Sequence, residues 1–200
     1  MASLAETFLR VLGRDLRAPA DLEARLGELV ETGRAAWPGL DVSPAVFVGY
    51  AAARIPRSRV DLGEAITSLR AGDLYLACGC ARGDPKALAA FDDSFREVCL
   101  AMARRVRSPA LSPEDAVQRI WKKLFVPSGE REPKIALYGG RGALKNWLRA
   151  TVARALIDMA REGKKVGCEV RVGDEALWEL PAAGGDPLLG AIRGFNAVID

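Results

Sequence analysis

Two hundred residues, half of them apolar and 28% charged, suit one domain or two small ones with a buried core. The chain has no histidine, which removes the commonest general base and every Ser/His or Cys/His nucleophile and so disfavours most hydrolase chemistries; an enzyme is not expected. The net charge is only +3, but residues 96–165 hold 16 basic against 7 acidic side chains between acidic flanks, as a localised polyanion site or a solvated Arg-rich surface would.

The start, MASLAETFLRVLGRDL, lacks the basic, apolar and small-residue layout of a secretion signal. No apolar run approaches the roughly 20 residues of a membrane-spanning helix, so a cytoplasmic protein without membrane contact is expected. Nearly every segment shows the 3.6-residue period and none a convincing alternation, which predicts an all-α class. Leu4, Phe8, Val11 and Leu12 set a first helix. Leu22, Leu26, Leu29 and Val30 set a second, ending near Gly33 before the AWPG break at 36–39. Ser43-Pro44 opens a helix that runs to Arg54 and stops before Pro56, and Asp61 starts another. Residues 1–70 are expected to form an N-terminal helical module.

Two helices follow around a stop at Gly83, the second with Asp84 as N-cap and Pro85 at its first position. Leu88, Phe91, Phe95, Val98, Met102 and Val106 predict one continuous buried stripe on it. Cys78, Cys80, Cys99 and Cys168 have no paired CxxC spacing, and without histidine a mixed zinc site is excluded. Buried free thiols are expected, with no metal and no other cofactor.

SPEDAVQRIWKKLFV at 112–126 is dense in helix-start signals: Ser112 as N-cap, Pro113 at the first position, Glu114 in the first turn and Asp115 three residues after the cap. Val117, Ile120, Trp121, Leu124 and Phe125 line one face, which leaves Asp115, Gln118, Arg119 and Lys122 on the polar side. Pro127 to Gly142 is a long Pro/Gly-rich connection with an apolar IALY island, and loops of that length carry function or mobility. It holds Arg131, Lys134, Arg141 and the loop's one aromatic, Tyr138, a candidate for either stacking or packing.

GALKNWLRATVARALIDMARE then forms a long helix with Leu144, Trp147, Leu148, Thr151, Ala155, Leu156 and Met159 inward. Its other sides carry Lys145, Arg149, Arg154 and Arg161, which could reach successive phosphates, and Asn146, which both donates and accepts at a base edge. YGGRG at 138–142 precedes this helix, but no GxxxxGK[ST] and no preceding strand support a nucleotide cradle. Residues 166–200 are expected to be a linker, with a short hairpin about Gly173-Asp174, and the start of one more helix.

The order of these features resembles region 2 of bacterial RNA polymerase sigma factors, especially the extracytoplasmic-function type. The matching residues are Asp115, Gln118, Trp121 and Leu124, then Trp147-Leu148, Arg154, and Asp158 with Arg161, and the resemblance covers roughly residues 73–165. It implies a helical bundle over 71–165. Such a bundle docks on the clamp-helix coiled coil of the polymerase β′ subunit, here through Asp115, Gln118, Arg119 and Lys122.

The resemblance further implies that the next loop and helix meet the promoter −10 element, with a base flipped from the non-template strand held by the loop. Arg131, Lys134, Tyr138, Arg141, Lys145, Asn146, Arg149, Arg154 and Arg161 would then contact DNA. An anti-sigma factor is a further partner of such proteins. Region 4, the helix-turn-helix for the −35 element, is expected to be missing, since the chain ends at Asp200 where that part would begin. Two positions differ from the usual pattern: Asn146 stands where primary sigma factors carry an aromatic, and Arg119 where an acidic residue is frequent. The alternative is a helical adaptor that binds polymerase or a regulatory protein without reading DNA.

Overall fold

Ser3 starts the first helix: its Oγ accepts the Glu6 amide at 3.1 Å, and Gly13 ends the helix in the left-handed conformation, at φ 66°. The computed structural model describes residues 2–13, 18–56, 61–107, 111–129, 131–165 and 171–172. Within them lie α1 (Leu4–Leu12), α2 (Leu22–Ala36), α3 (Pro44–Ala52), α4 (Leu62–Thr67), α5 (Ala71–Ala81), α6 (Pro85–Ala103), α7 (Pro113–Phe125) and α8 (Leu144–Lys165). A 3-10 turn spans Lys134–Leu137. The chain is all-α, with one antiparallel ladder two residues long, in which β1 (Val106–Arg107) sets Val106 opposite Val172 of β2 (Arg171–Val172). The hairpin tip expected at Gly173-Asp174 and the helix expected near the end lie outside the described residues. No helix among the described residues is long and apolar enough to cross a membrane.

Two compact units emerge, one formed by Met1–Arg96 with Arg119–Leu144 and the other by Glu97–Gln118 with Lys145–Asp200. The boundary expected after residue 70 is therefore corrected: residues 1–70 share a unit with α5. The cause is the composition of α5, which buries Leu74, Tyr75, Leu76, Ala77, Cys78 and Cys80 and so must be covered on every side. Helices α2 and α3 and the 3-10 turn supply that cover. Helix α2 continues through Gly33 to Ala36, because the missing side chain at 33 lets α5 approach. A Cβ there would lie 2.8 Å from the Tyr75 ring. Tyr75 is fully buried, accepts the Val42 amide at 3.0 Å on its hydroxyl and meets Phe47 edge-on at 5.0 Å. Trp37, just past α2, donates its indole N–H to the Gly72 carbonyl at 2.9 Å.

Asp84 caps α6 as expected, its Oδ1 accepting the amides of Lys86 at 2.8 Å and Ala87 at 3.1 Å. The continuous stripe expected along α6 is corrected. Leu88, Phe95, Val98 and Met102 are only half-buried, whereas Ala87, Phe91, Cys99, Leu100 and Ala103 form the covered side. Val106 cannot extend it, since the helix has ended and the backbone there is in β1. Val11 is likewise 46% exposed on α1, despite its helical spacing with Phe8. In the second unit, α8 buries Leu148, Val152, Leu156 and Met159. Cys78, Cys80 and Cys99 are buried, and burial pushes the Cys78 thiol up to about 11 and the Cys80 thiol up to about 12. Cys168 lies outside the described residues.

Candidate functional site

Helix α7 starts as its sequence predicts, with the Ser112 Oγ accepting the Asp115 amide at 3.0 Å. Asp115, Gln118, Arg119 and Lys122 follow the i, i+3, i+4, i+7 spacing that places them on one side of a helix. All four are exposed, while Ala116, Val117, Ile120 and Leu124 are buried. Among the described residues none of the four has an ion-pair partner. What fixes the rotation of the helix is Trp121. Its indole N–H donates to Asp92 at 2.7 Å, and its ring meets Phe91 at 5.6 Å and Phe125 at 5.9 Å, both edge-on. Asp92 is itself held by Arg96 at 2.9 Å.

The connection between α7 and α8 is not an open loop. Ile135, Ala136 and Tyr138 are buried, and Leu137 between them is 71% exposed. Tyr138 is thus corrected as a stacking candidate. Only 2% of it is accessible, and its hydroxyl donates to the Gly142 carbonyl with Asp73 also at 3.5 Å. Burial first, and then the nearby Asp73 carboxylate, push its ionisation above the ordinary phenol range. The short apolar island packs because α5 needs cover on that side. Its cations stay outside: Arg131, Lys134 and Arg141 are all exposed.

The turn is fastened from α3. Just past that helix, Arg54 donates from Nη1 to the Tyr50 carbonyl at 2.7 Å, from Nε to the Tyr138 carbonyl at 3.2 Å and from Nη2 to the Ala136 carbonyl. Its guanidinium lies over the Tyr50 ring, and burial lowers its pKa from the usual arginine value. At the far end the Arg70 amide donates to the Gly140 carbonyl at 2.7 Å. Gly140 has φ 73°, and a Cβ there would come within 3.1 Å of Leu74.

On α8, Lys145, Asn146 and Arg161 are exposed, and Arg149 and Arg154 are half-buried. Helical spacing divides the cations of α8 into two pairs. At about 100° per residue, Lys145 and Arg149 lie within about 40° of each other, but Arg154 is about 140° further round from Arg149. Arg161 falls beside Arg154. Val152 and Leu156, buried, lie within about 20° of the azimuths that Lys145 and Arg149 hold about two turns earlier. Trp147 is half-buried, not fully inward. Asn146 sits between the two cation pairs in azimuth.

No protein-family model, curated protein or solved structure matches the chain. Arg54, Asp73 and Leu137 were not singled out by pattern. The IALY island hinted at the last, since four apolar residues in a tight turn cannot all face the core.

Proposed function

We propose that this chain is a sigma-region-2-like transcription initiation factor. The outward row of α7 engages the β′ coiled coil of core RNA polymerase. Arg131, Lys134 and Arg141 of the 127–142 segment, and separately Lys145, Asn146 and Arg149 at the start of α8, contact the unpaired −10 strand. Arg154 and Arg161, which ideal helical spacing sets about 120–140° round from Arg149, are left out of this proposed set. The observation that carries the proposal is the α7 row. Four polar side chains stand clear of the protein on a helix whose rotation is set by Trp121 and Asp92, a layout that suits a charged helical partner. Capture of bacterial core polymerase by the 200-residue chain tests it. Gln118→Ala with Arg119→Glu is expected to abolish capture at unchanged helix content, and full capture by that variant would overturn the proposal.

The spread of cations over two sides of α8 favours a second possibility, an adaptor that binds polymerase without reading DNA. Salt separates the two. An affinity for −10-like single strands that falls steeply with salt and exceeds that for polypyrimidine supports promoter contact, and equal affinities support the adaptor.

A further inference from the structure

The guanidinium of Arg54 bonds three backbone carbonyls, at 50, 136 and 138, and lies over the Tyr50 ring; the Glu132 carboxylate acts on it through space, without an ion-pair contact among the described residues. Holding a half-buried cation on carbonyls and a ring face, with no carboxylate in contact, is an unfavourable way to stabilise a core, because an apolar side chain would avoid desolvating the charge. It is, however, an effective way to fix backbone. The two loop carbonyls flank Leu137 on either side, so the planar fork sets the direction in which that residue leaves the turn. Leu137 is the most exposed large apolar side chain among the described residues, and it stands in a segment whose other accessible side chains include the cations Lys134, Arg131 and Arg141. An apolar tip in a segment that exposes three cations against one carboxylate, Glu132, matches a ligand that is flat and apolar in one part and anionic in another, as a nucleotide strand is.

We propose that Arg54 is a positioning residue that fixes the 134–138 turn so that Leu137 packs against an unpaired base of bound single-stranded DNA. The first helices of the chain are then part of the binding device, through a side chain at the end of α3. The nature of the ligand rests on the promoter-contact proposal above, while the role of Arg54 rests on the hydrogen bonds.

The test uses the full chain with bacterial core polymerase, a short fluorescein-labelled A/T-rich single strand, and the same strand carrying abasic sites. Leu137→Ser is expected to weaken binding of the base-bearing strand about tenfold, the effect of uncovering part of one leucine. It should leave the abasic strand and the salt slope unchanged, since no phosphate contact is lost. Arg54→Met is expected to reproduce that pattern, and the double variant to bind no more weakly than either single one, because both act through one contact. Arg54→Lys keeps the charge without the fork and is expected to lose part of the affinity, which serves where Arg54→Met does not fold.

Losses that multiply in the double variant, or wild-type affinity in Arg54→Lys and Arg54→Met, overturn the positioning role. Equal binding of base-bearing and abasic strands by the unaltered chain overturns the Leu137 contact and leaves the phosphate contacts of the proposed function standing. No binding of either strand overturns both, and leaves polymerase capture through α7 as a separate result.

Discussion

Asp73 accepts the backbone N–H of Leu144, 71 residues further along the chain, at 3.0 Å. The same oxygen takes the Arg70 guanidinium at 3.0 Å and lies 3.5 Å from the Tyr138 hydroxyl. A carboxylate at the start of α5 thereby serves a first-turn N–H of α8, a donor that the helix itself cannot satisfy. Asp73→Ala is expected to lower stability by about 1–2 kcal/mol, as loss of a cap does. Asp73→Asn keeps an acceptor and should lose less. Urea denaturation followed by circular dichroism checks this, and equal midpoints for the Ala variant and the unaltered chain would remove the capping role.

The approach of α2 to α5 through Gly33 leads to a second expectation. A Cβ at 33 would meet both the Cβ and the ring of Tyr75, the latter at 2.8 Å, and that ring is fully buried with its hydroxyl engaged by Val42. Neither atom is the free end of a flexible chain, so the helices themselves must separate. Gly33→Ala should therefore destabilise by about 1–3 kcal/mol, although alanine favours helix. A rise in the denaturation midpoint would mean that the helix propensity gained outweighs the overlap.

Most of the fold was legible because its signals are local. Ser3, Asp61, Asp84 and Ser112 each accept an amide two or three residues on, and such caps are written in adjacent letters. The outward row of α7 follows from spacing alone for the same reason. Tyr138 was not legible, because its burial depends on α5 needing cover from a segment more than fifty residues away. Arg54 was invisible for a related reason: its acceptors are backbone carbonyls, which carry no residue identity. The cation pattern of α8 shows a different failure. Counting basic residues along a helix ignores their azimuth, and five positions from Arg149 to Arg154 turn the helix well past a single face.

Trp121 separates packing from hydrogen bonding at the α6–α7 contact of the first unit. Trp121→Phe retains an aromatic ring against Phe91 and Phe125 but cannot donate to Asp92. It is expected to cost about 1 kcal/mol, since Asp92 keeps Arg96 as partner. Trp121→Ala removes the ring as well and should cost about 3 kcal/mol. Denaturation of both variants gives the two contributions. If the Phe variant loses as much as the Ala variant, the hydrogen bond rather than the ring holds α7 in place.

The two α5 thiols make stability fall at high pH. Cys78 is pushed up to about 11 and Cys80 up to about 12, in both cases mainly by burial, from an ordinary value of 9.0. The folded chain thus holds these protons more tightly than the unfolded chain. Their contribution is fully present below pH 9, where both states are protonated, and is lost as pH rises through the folded values. Between pH 9 and 11 the expected loss approaches about 1 kcal/mol per pH unit for each thiol. Cys78→Ala with Cys80→Ala should flatten that slope, measured as the denaturation midpoint against pH. In the unaltered protein, alkylation at pH 8 followed by peptide mapping should find Cys78 and Cys80 unmodified until denaturant is added, because the neutral buried thiol is a poor nucleophile. Rapid labelling of either one in the folded chain would show that α5 is open to solvent on that side.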